Sequence, residues 1–465
     1  MSFDAVFGDA VFGGSTILDE IVKAYDVRGT VPDQINEAVA HALGVAFAGF
    51  CGTDRVLVAR DVRPSGPALV EAFAAGVMGQ GVDVVDLGLG STDLLYYAAG
   101  TLDAPGAMFT ASHNPAQYNG IKFCLSGARA VGQDSGLPEV RDRAKRVLDG
   151  HGPAPTAVRG SLSTRNLLQA FADHVISFIN PADIAPMRVV ADTANGMGGL
   201  VVPAVFERLP QVTLEVMFGE LDGTFPNPPA DPLQPANQRE LQARVVSGGF
   251  DVGLAFDGDA DRVFVVDETG RGLSGSTTTA LLAAAVLRTN PGATVLHNLI
   301  CSRAVPEVIR EHGGVPIRTK VGHSFIKERM AQTDAVFGGE HSAHYYFAKN
   351  FRADSGLIAT VMVLDEISRA NAELSVVRKP FERYSQSGEI NTHVADTTAV
   401  IDLVAAGYAQ YPQDRLDGLT VDCGPWWFNL RPSNTEPLLR LNLEAPNRDD
   451  CDQRVADLLA LITSS

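Results

Sequence analysis

The sequence predicts an α/β protein with three related α/β domains, whose sheets are mainly parallel, and a smaller C-terminal α+β domain. Apolar runs of strand length alternate with amphipathic segments of helix length, which is typical of parallel sheets. The order strand, helix, strand, helix, strand occurs three times, at unequal spacings that exclude a solenoid. After about Arg378 this pattern gives way to shorter strands and two helices.

Each of the three copies ends in an apolar strand that leads into a polar loop. The strands are "GAMFT", "DVGLAF" and "DAVFGG", and the loops are "ASHNP", "DGDADR" and "EHSAHYY". Ligands of open α/β sheets bind beyond the carboxyl ends of the strands. We therefore expect the three loops to contribute to one shared active site.

The domain boundaries follow from these copies. We expect domains at residues 1–157 with the serine loop, 158–267 with the "DGDADR" loop, 268–378 with the "EHSAHYY" loop, and 379–465. The last of these carries its own distinctive loop, "RPSNTEP".

Charge and composition restrict the partners and the compartment. The 465 residues include 37 basic and 55 acidic side chains, giving a net charge of −18, which argues against nucleic acid as the main partner. Small anionic substrates need only a local basic pocket and stay possible.

The N-terminus does not resemble a signal peptide and no apolar run reaches the length of a membrane span, so we expect a cytoplasmic protein without membrane contact. Five widely spaced cysteines without a CxxC pair suggest neither a zinc site nor a disulfide framework.

The loop "DGDADR" is the strongest candidate metal site. Asp257, Asp259 and Asp261 alternate along a glycine-containing turn, and carboxylate oxygens suit a hard divalent cation. An EF-hand calcium loop is excluded because Arg262 stands where that loop needs glycine and both flanks have the pattern of strands. An arginine beside a metal indicates that an anion meets the metal there. A plain polar turn is the alternative.

The loop "TASHNP" contains Ser112 and His113, which we take as candidate catalytic residues. Adjacent residues seldom make the hydrogen bond of a serine–histidine pair, so a hydrolase triad is not favoured. A serine carrying phosphate would instead supply oxygens to a cation held by the three aspartates. Downstream, Lys122 could act as a cation or a proton carrier, or it could be a solvated lysine.

Two further loops have side chains suited to sugars and phosphates. Glu340, Ser342 and His344 alternate, and on an extended segment all three would point the same way. A carboxylate and a hydroxyl suit sugar hydroxyls, and a histidine can titrate near neutral pH. The loop "RPSNTEP" offers a guanidinium, two hydroxyls and an amide for phosphate, from Arg431, Ser433, Asn434 and Thr435.

Several residues near the N-terminus have two equally good interpretations. Tyr25 and Arg28 precede a glycine, and Arg60 and Arg63 follow a strand. All of these could serve a site, or they could be ordinary surface side chains.

The ordered set "TASHNPxxYNGxK", "DGDADR", "GEHSAH" and "RPSNTEP" resembles the α-D-phosphohexomutases over essentially the whole chain, and most closely the bacterial phosphomannomutase/phosphoglucomutase group. The resemblance implies four domains around a central cleft. It also implies an intramolecular phosphotransferase that interconverts hexose 1-phosphate and hexose 6-phosphate, with mannose or glucose as the sugar. A phosphoserine would donate its phosphate, and a hexose 1,6-bisphosphate would be the intermediate and activator. Mg²⁺ would be the cofactor and hexose phosphates the partners; the oligomeric state stays open.

The resemblance also implies roles for the individual residues. Ser112 would be the phosphoserine and would bind Mg²⁺ together with Asp257, Asp259 and Asp261. The other implied roles are a contact to the phosphoserine loop (Arg262), proton carriers (Lys122, His344), ligands of the sugar O3 and O4 (Glu340, Ser342), a cradle for the non-reacting phosphate (Arg431, Ser433, Asn434, Thr435) and lesser contacts (Tyr25, Arg28, His323).

One departure and three alternatives remain. Many relatives have a lysine in a "DVKC"-like strand end where this chain has Ile300, which removes a possible sugar contact that Lys320 could replace. A phosphoglucosamine mutase would usually have the loop "GEQSGH", with glutamine at the position that His341 occupies in this chain. A non-catalytic sugar-phosphate binding protein would not need the serine, the metal and the proton carriers together. In a phosphatase, water would take the phosphate from Ser112.

Overall fold

The structure is a computed structural model that describes residues 14–432 and 438–463. The chain divides into two compact units. Unit 1 contains residues up to 272 together with 344–374, and unit 2 contains residues 273–343 together with those from 375 onward.

The described residues form helices and strands in alternation through most of the chain. The helices are α1 (Ile17–Ile21), α2 (Glu37–Cys51), α3 (Gly66–Gly79), α4 (Thr92–Thr101), α5 (Leu137–Leu148), α6 (Leu168–Ile176), α7 (Gly198–Phe206), α8 (Arg239–Gly248), α9 (Gly275–Thr289), α10 (Ala304–Glu311), α11 (His323–Thr333), α12 (Gly356–Ala370), α13 (Leu374–Val377), α14 (Thr397–Gly407) and α15 (Arg448–Thr463). The strands are β1 (Val27–Thr30), β2 (Arg55–Arg60), β3 (Asp83–Leu89), β4 (Gly106–Phe109), β5 (Tyr118–Leu125), β6 (Arg129–Ala130), β7 (Leu162–Thr164), β8 (Met187–Asp192), β9 (Val212–Met217), β10 (Val252–Phe256), β11 (Val263–Asp267), β12 (Thr294–Asn298), β13 (Val315–Thr319), β14 (Phe337–Gly339), β15 (Tyr345–Phe347), β16 (Ser385–His393), β17 (Gln413–Asp414), β18 (Leu419–Asp422), β19 (Trp427–Pro432) and β20 (Leu438–Ala445).

The first sheet of unit 1 has the strand order β1-β5-β4-β2-β3-β7, with β6 paired to β5. Strand β2 runs parallel to both β3 and β4, as the alternation of strands and helices predicts. Strand β5 then returns antiparallel to β4. The serine loop is the connection between β4 and β5, at the carboxyl end of β4.

The second sheet of unit 1 has the order β11-β10-β8-β9. Strand β8 is parallel to β9 and to β10, and β11 is antiparallel to β10. The pairing of Phe256 with Val263 closes a hairpin whose tip is the "DGDADR" loop. Every residue of β10 and β11 is buried, so the two strands that carry this tip lie within the core.

Unit 2 contains a parallel sheet and an antiparallel sheet. In the first, β12 is parallel to β13 and to β14. The second has the order β16-β20-β19-β18-β17, in which the neighbouring strands are antiparallel. Mainly parallel α/β sheets followed by a C-terminal antiparallel sheet confirm the predicted fold class.

Local signals account for where some helices begin. The Asn36 side chain accepts a hydrogen bond from the Val39 amide at the start of α2, at 3.1 Å. Ser355 does the same for the Ile358 amide at the start of α12, also at 3.1 Å. Such caps satisfy amides that the first helical turn leaves without a partner.

Buried apolar side chains hold the first sheet to its helices. One cluster joins the sheet to α2, α3 and α5, and within it the ring centroids of Phe47 and Phe123 are 4.4 Å apart. A separate cluster packs α14 and α15 against the antiparallel sheet. None of the helices in the described ranges is long and apolar enough to cross a membrane.

Candidate active site

Ser112 lies just beyond the carboxyl end of β4, with its hydroxyl facing the second sheet's hairpin loop. Its backbone is left-handed, with φ of 51°, and the residue is 5% exposed. The Oγ donates a hydrogen bond to Asp257 Oδ2 at 2.9 Å and accepts one from Arg262 Nη2 at 3.3 Å. The serine hydroxyl therefore contacts an acid and a cation at once.

The three aspartates of the hairpin loop are buried and close together. One carboxylate oxygen from each of Asp257, Asp259 and Asp261 lies within 4.8 Å of the others. Among the described residues, Asp259 Oδ1 and Asp261 Oδ1 have no hydrogen-bond partner. Buried polar atoms are seldom left without a partner, so these oxygens are suited to bind a ligand.

Two cations offset much of this negative charge. Lys122 Nζ lies 2.7 Å from Asp259 Oδ2 and 2.8 Å from Asp261 Oδ2. Arg262 Nε lies 2.8 Å from Asp257 Oδ2. With all five groups ionised, three carboxylates and two cations leave one excess negative charge in the cluster.

The pKa values of these groups reflect burial and mutual charge. Burial raises the pKa of Asp257 to about 7, although the Arg262 charge opposes the rise. Burial also disfavours the charged form of Asp259, but Lys122 outweighs it and lowers the pKa of that carboxyl. Burial opposes the charge of Lys122 as well, but Asp259 and Asp261 hold its pKa well above the usual value. Lys122 is therefore a cation here.

The chemistry of this cluster fits a hard divalent cation. The donor set contains only oxygen, two of the oxygens have no hydrogen-bond partner among the described residues, and the cluster carries excess negative charge when it is ionised. These are the preferences of Mg²⁺ rather than of a soft metal.

The two histidines have different surroundings. His113 Nδ1 accepts a hydrogen bond from Arg262 Nη2 at 2.5 Å, and burial and the Arg262 charge put its pKa well below the usual range. His344 Nδ1 lies 2.8 Å from Asp354 Oδ2 and 3.9 Å from Asp261 Oδ1. Burial disfavours protonation of His344, but the charge of Asp261 and the hydrogen bond to Asp354 raise its pKa.

Arg28 reaches the serine loop from β1. Its Nη1 donates to Asn114 Oδ1 at 2.7 Å, and its Nη2 donates to Asp26 Oδ2 at 2.5 Å. Tyr25 is partly buried just before that strand. The structure therefore places Arg28 beside the serine loop rather than on the free surface.

Three residues that contact the site were not singled out from the sequence. Thr92, at the start of α4, donates its Oγ1 hydrogen to Asp259 Oδ2 at 2.5 Å. Asp354 pairs with His344, and Asp61 accepts a hydrogen bond from the hydroxyl of Thr110 at 2.7 Å. Short polar residues at strand ends and helix starts are the signal that could have indicated Thr92 and Asp61.

Glu340 and Ser342 belong to unit 2, whereas His344 belongs to unit 1. The expectation that these residues lie on one extended segment is wrong. Residues 340–344 form a turn in which the Ala343 amide donates to the Glu340 carbonyl at 3.1 Å and Ala343 has φ of 66°. Alternate spacing therefore does not place the three side chains on one side.

The Glu340 carboxylate is held in a fixed orientation within unit 2. Its Oε1 accepts hydrogen bonds from Asn298 Nδ2 at 3.2 Å and from the Gly322 amide at 3.0 Å. Asn298 ends β12, and Gly322 immediately precedes α11, whose first residue is His323.

Ile300, at the position where the resemblance implies a lysine, is almost fully buried and lines a small cavity with His341. Lys320 is exposed, with its Nζ 5.6 Å from the centroid of the Phe325 ring.

Arg431 is buried on β19 and donates a hydrogen bond to Glu389 Oε2 at 2.9 Å. Arg440, which pairs with it across the strands, also forms an ion pair with Glu389. The other members of the predicted phosphate loop, Ser433, Asn434 and Thr435, lie outside the described residues.

Comparison with known proteins gives matches along most of the chain. Models described as phosphoglucomutase/phosphomannomutase match in four parts: alpha/beta/alpha domain I at residues 19–147, domain II at 169–271, domain III at 274–384, and the C-terminal domain at 389–461.

Among individual proteins, one named phosphohexose mutases from Xanthomonas campestris is 41% identical over 426 residues, covering 91% of this chain and 94% of that protein. A phosphomannomutase from Salmonella montevideo is 38% identical, covering 95% of this chain and 98% of that protein. The crystal structure of a phosphoglucomutase/phosphomannomutase family protein from Burkholderia thailandensis superposes with a TM-score of 0.86 at 30% identity, covering 97% of this chain and 98% of that one.

Proposed function

This chain belongs to the phosphoglucomutase/phosphomannomutase family, and we propose on that premise that it interconverts hexose 1-phosphate and hexose 6-phosphate through a phosphoserine at Ser112. Family membership makes the chain an isomerase that transfers a phosphoryl group within its substrate. The mechanism and the choice of mannose or glucose are our proposal.

The proposal rests mainly on the two side chains that contact the Ser112 hydroxyl. Its Oγ lies 2.9 Å from Asp257 Oδ2 and 3.3 Å from Arg262 Nη2, at the carboxyl end of a parallel strand. In the first half-reaction, phospho-Ser112 transfers its phosphoryl group to the free hydroxyl of a hexose phosphate. The resulting hexose 1,6-bisphosphate reverses its orientation and returns its other phosphoryl group to Ser112. The phosphorus–oxygen bonds broken and formed balance, and the enzyme ends as it began.

Asp257, Asp259 and Asp261, together with the serine phosphate, would hold Mg²⁺. When bound, this ion supplies positive charge beside the phosphoryl oxygens as charge moves between them. Arg262 adds a fixed guanidinium on the same side, and its contacts to Asp257 and His113 keep it in place. His113 is therefore proposed to orient Arg262 through its neutral ring.

Lys122 and His344 are proposed as the proton carriers. In the first half-reaction the attacking substrate hydroxyl must lose its proton while the departing serine oxygen gains one, and in the second the serine hydroxyl loses its proton while the departing substrate oxygen gains one. Lys122 is held protonated by Asp259 and Asp261 and would be the carrier of the proton that the departing oxygen takes. His344 is paired with Asp354, which orients its ring and stabilises its charged form.

Residues of unit 2 are proposed to bind the parts of the substrate that do not react. Glu340 and Ser342 would hold sugar hydroxyls O3 and O4, and the fixed orientation of the Glu340 carboxylate supports this role. Arg431, Ser433, Asn434 and Thr435 would bind the non-reacting phosphate. His323 of unit 2, and Tyr25 and Arg28 of unit 1, would make lesser contacts.

The deciding experiment compares mannose 1-phosphate, glucose 1-phosphate and glucosamine 1-phosphate, each with a trace of glucose 1,6-bisphosphate, and measures the 6-phosphate isomer and inorganic phosphate. We expect mannose and glucose phosphates to be isomerised with little phosphate release. Efficient turnover of glucosamine phosphate alone would identify a phosphoglucosamine mutase. Phosphate release that exceeds isomer formation would identify a phosphatase. Binding without turnover of any of the three would leave only a sugar-phosphate binding protein.

A further inference from the structure

Arg63 is a buried arginine whose hydrogen-bonding capacity is fully used. The residue is 1% exposed and follows β2 by three positions. Nε donates to Asp61 Oδ2 at 3.0 Å, and Nη1 donates to the carbonyls of Pro115 and Tyr118, both at 2.8 Å. Nη2 donates to the carbonyls of Ser112 at 2.9 Å and Asn114 at 2.6 Å. A guanidinium has five N–H donors, so each one has an acceptor.

Four of these five acceptors are backbone carbonyls of the serine loop. One guanidinium therefore binds the loop from Ser112 to Tyr118, the first residue of β5. Phe225 lies against the face of the same guanidinium, 4.9 Å from its central carbon to the ring centroid. The N–H groups at the edge of the guanidinium thus bind the serine loop, and its flat face packs against the Phe225 ring.

The Ser112 backbone is held on both sides of its Cα atom. Its N–H donates to Thr110 Oγ1 at 2.8 Å, and its carbonyl accepts from Arg63. Asp61 connects the two contacts, because its Oδ2 accepts hydrogen bonds from both the Thr110 hydroxyl at 2.7 Å and Arg63 Nε. A left-handed conformation is unfavourable for a non-glycine residue, so it persists only where its surroundings impose it.

We propose that Arg63, anchored by Asp61, is a positioning residue that fixes Ser112 in its left-handed conformation and so aims the hydroxyl at Asp257 and Arg262. The inference rests on the proposed role of Ser112 as phosphoryl carrier. Arg63 does not touch the reacting oxygen, because its contact with Ser112 is to the carbonyl. It acts on the reaction through the loop.

Lysine cannot replace arginine in this role. Its ammonium has three donors and no planar fork, so at least two of the five acceptors would lose their donor. The charge that neutralises Asp61 would remain. Arg63→Lys therefore separates the geometric role from simple charge compensation.

The test compares Arg63→Lys with Arg378→Lys, which changes another buried arginine, one that pairs with Glu382 in unit 2. Steady-state kinetics of the full-length protein with glucose 1-phosphate and Mg²⁺ give kcat and KM, and amide hydrogen exchange reports local order. We expect kcat of Arg63→Lys to fall about 100-fold, since a small misplacement of a reacting group costs that much. KM should stay within about threefold, because no substrate contact is lost. Exchange should increase in the peptide that spans the serine loop and not elsewhere.

The proposal is overturned if Arg63→Lys keeps a kcat within about threefold of Arg378→Lys, or if exchange increases throughout the chain while kcat per folded molecule is unchanged. If Arg63→Lys does not fold, Asp61→Asn replaces it, since this change removes the carboxylate that anchors Arg63 Nε and keeps the side chain's shape. The same loss of kcat at constant KM is then expected, and its absence overturns the proposal. Inactivity of the parent protein on every hexose phosphate would instead refute the proposed function.

Discussion

A Cβ atom built on Gly258 would lie 2.5 Å from the carbonyl oxygen of Ser112. The two loops that carry the serine and the aspartates therefore approach each other through a position where no side chain fits. Gly258 is where the chain of the hairpin loop passes the serine loop, and it lies between two of the proposed metal ligands.

Gly258→Ala should therefore separate the two loops and reduce turnover. Overpacking costs roughly 1–3 kcal/mol when backbone must shift, and the displaced serine should lower kcat by about 10- to 100-fold. Gly79→Ala is the matched control, because a Cβ there meets nothing within 4 Å. Kinetics and thermal unfolding of both variants check the prediction. A Gly258→Ala enzyme with the kcat of the control would show that the close approach does not matter for the reaction.

Removal of divalent cations should abolish turnover, because three buried carboxylates are positioned to share one hard ion. Exhaustive chelation followed by Mg²⁺ should restore the rate. Asp259→Asn should weaken Mg²⁺ binding measured by titration calorimetry, whereas Asp173→Asn, in an exposed ion pair with Arg208, should leave it unchanged. Full turnover in metal-free protein is the result that the metal assignment does not permit.

Arg431→Ala should weaken substrate binding. Charge-assisted hydrogen bonds contribute roughly 1.5–3 kcal/mol each, so KM should rise by about 10- to 100-fold at 1.4 kcal/mol per decade. The bisphosphate should also escape before it reverses, so added glucose 1,6-bisphosphate should rescue this variant more than the parent.

Arg454→Ala, in α15 beside Trp426, is the control for loss of an arginine from the same C-terminal region. If Arg431→Ala and Arg454→Ala have the same KM and the same need for bisphosphate, then Arg431 only pairs with Glu389 and does not bind phosphate.

Mannose and glucose phosphates should both be substrates. These sugars differ only at C2, and the proposed contacts of Glu340 and Ser342 are to O3 and O4. A site that makes no hydrogen bond to O2 discriminates weakly there. The measurement is kcat/KM for the two 1-phosphates under identical conditions. A preference on the order of several thousandfold would mean that another side chain binds at C2.

The sequence predicts the strands and their loops well because the strands are buried. Strands β10 and β11 are continuous apolar runs, and the polar residues of 257–262 stand out between them. The cluster of three aspartates follows from spacing alone, because the hairpin is local. The turn at 340–344 was mispredicted, because alternation is informative only where the backbone is extended.

Arg63 shows what the sequence could not reveal. Its carbonyl acceptors lie 49 to 55 positions away along the chain, so nothing near it distinguishes it from a solvated arginine at a strand end. His344 and Asp354 are separated by ten positions and an intervening strand, β15. Both contacts depend on tertiary structure, which local patterns do not encode.

The most direct test of the central claim is the phosphorylation state of Ser112 during turnover. Dephosphorylated protein is incubated with Mg²⁺ and glucose 1,6-bisphosphate, and intact-mass and peptide mass spectrometry are recorded before and after a chase with excess glucose 1-phosphate. We expect a gain of one phosphoryl group on the peptide containing Ser112, its exchange with substrate during the chase, and no mutase activity in Ser112→Ala. Mutase turnover at the parent rate in Ser112→Ala, or without phosphate ever reaching Ser112, would contradict the account.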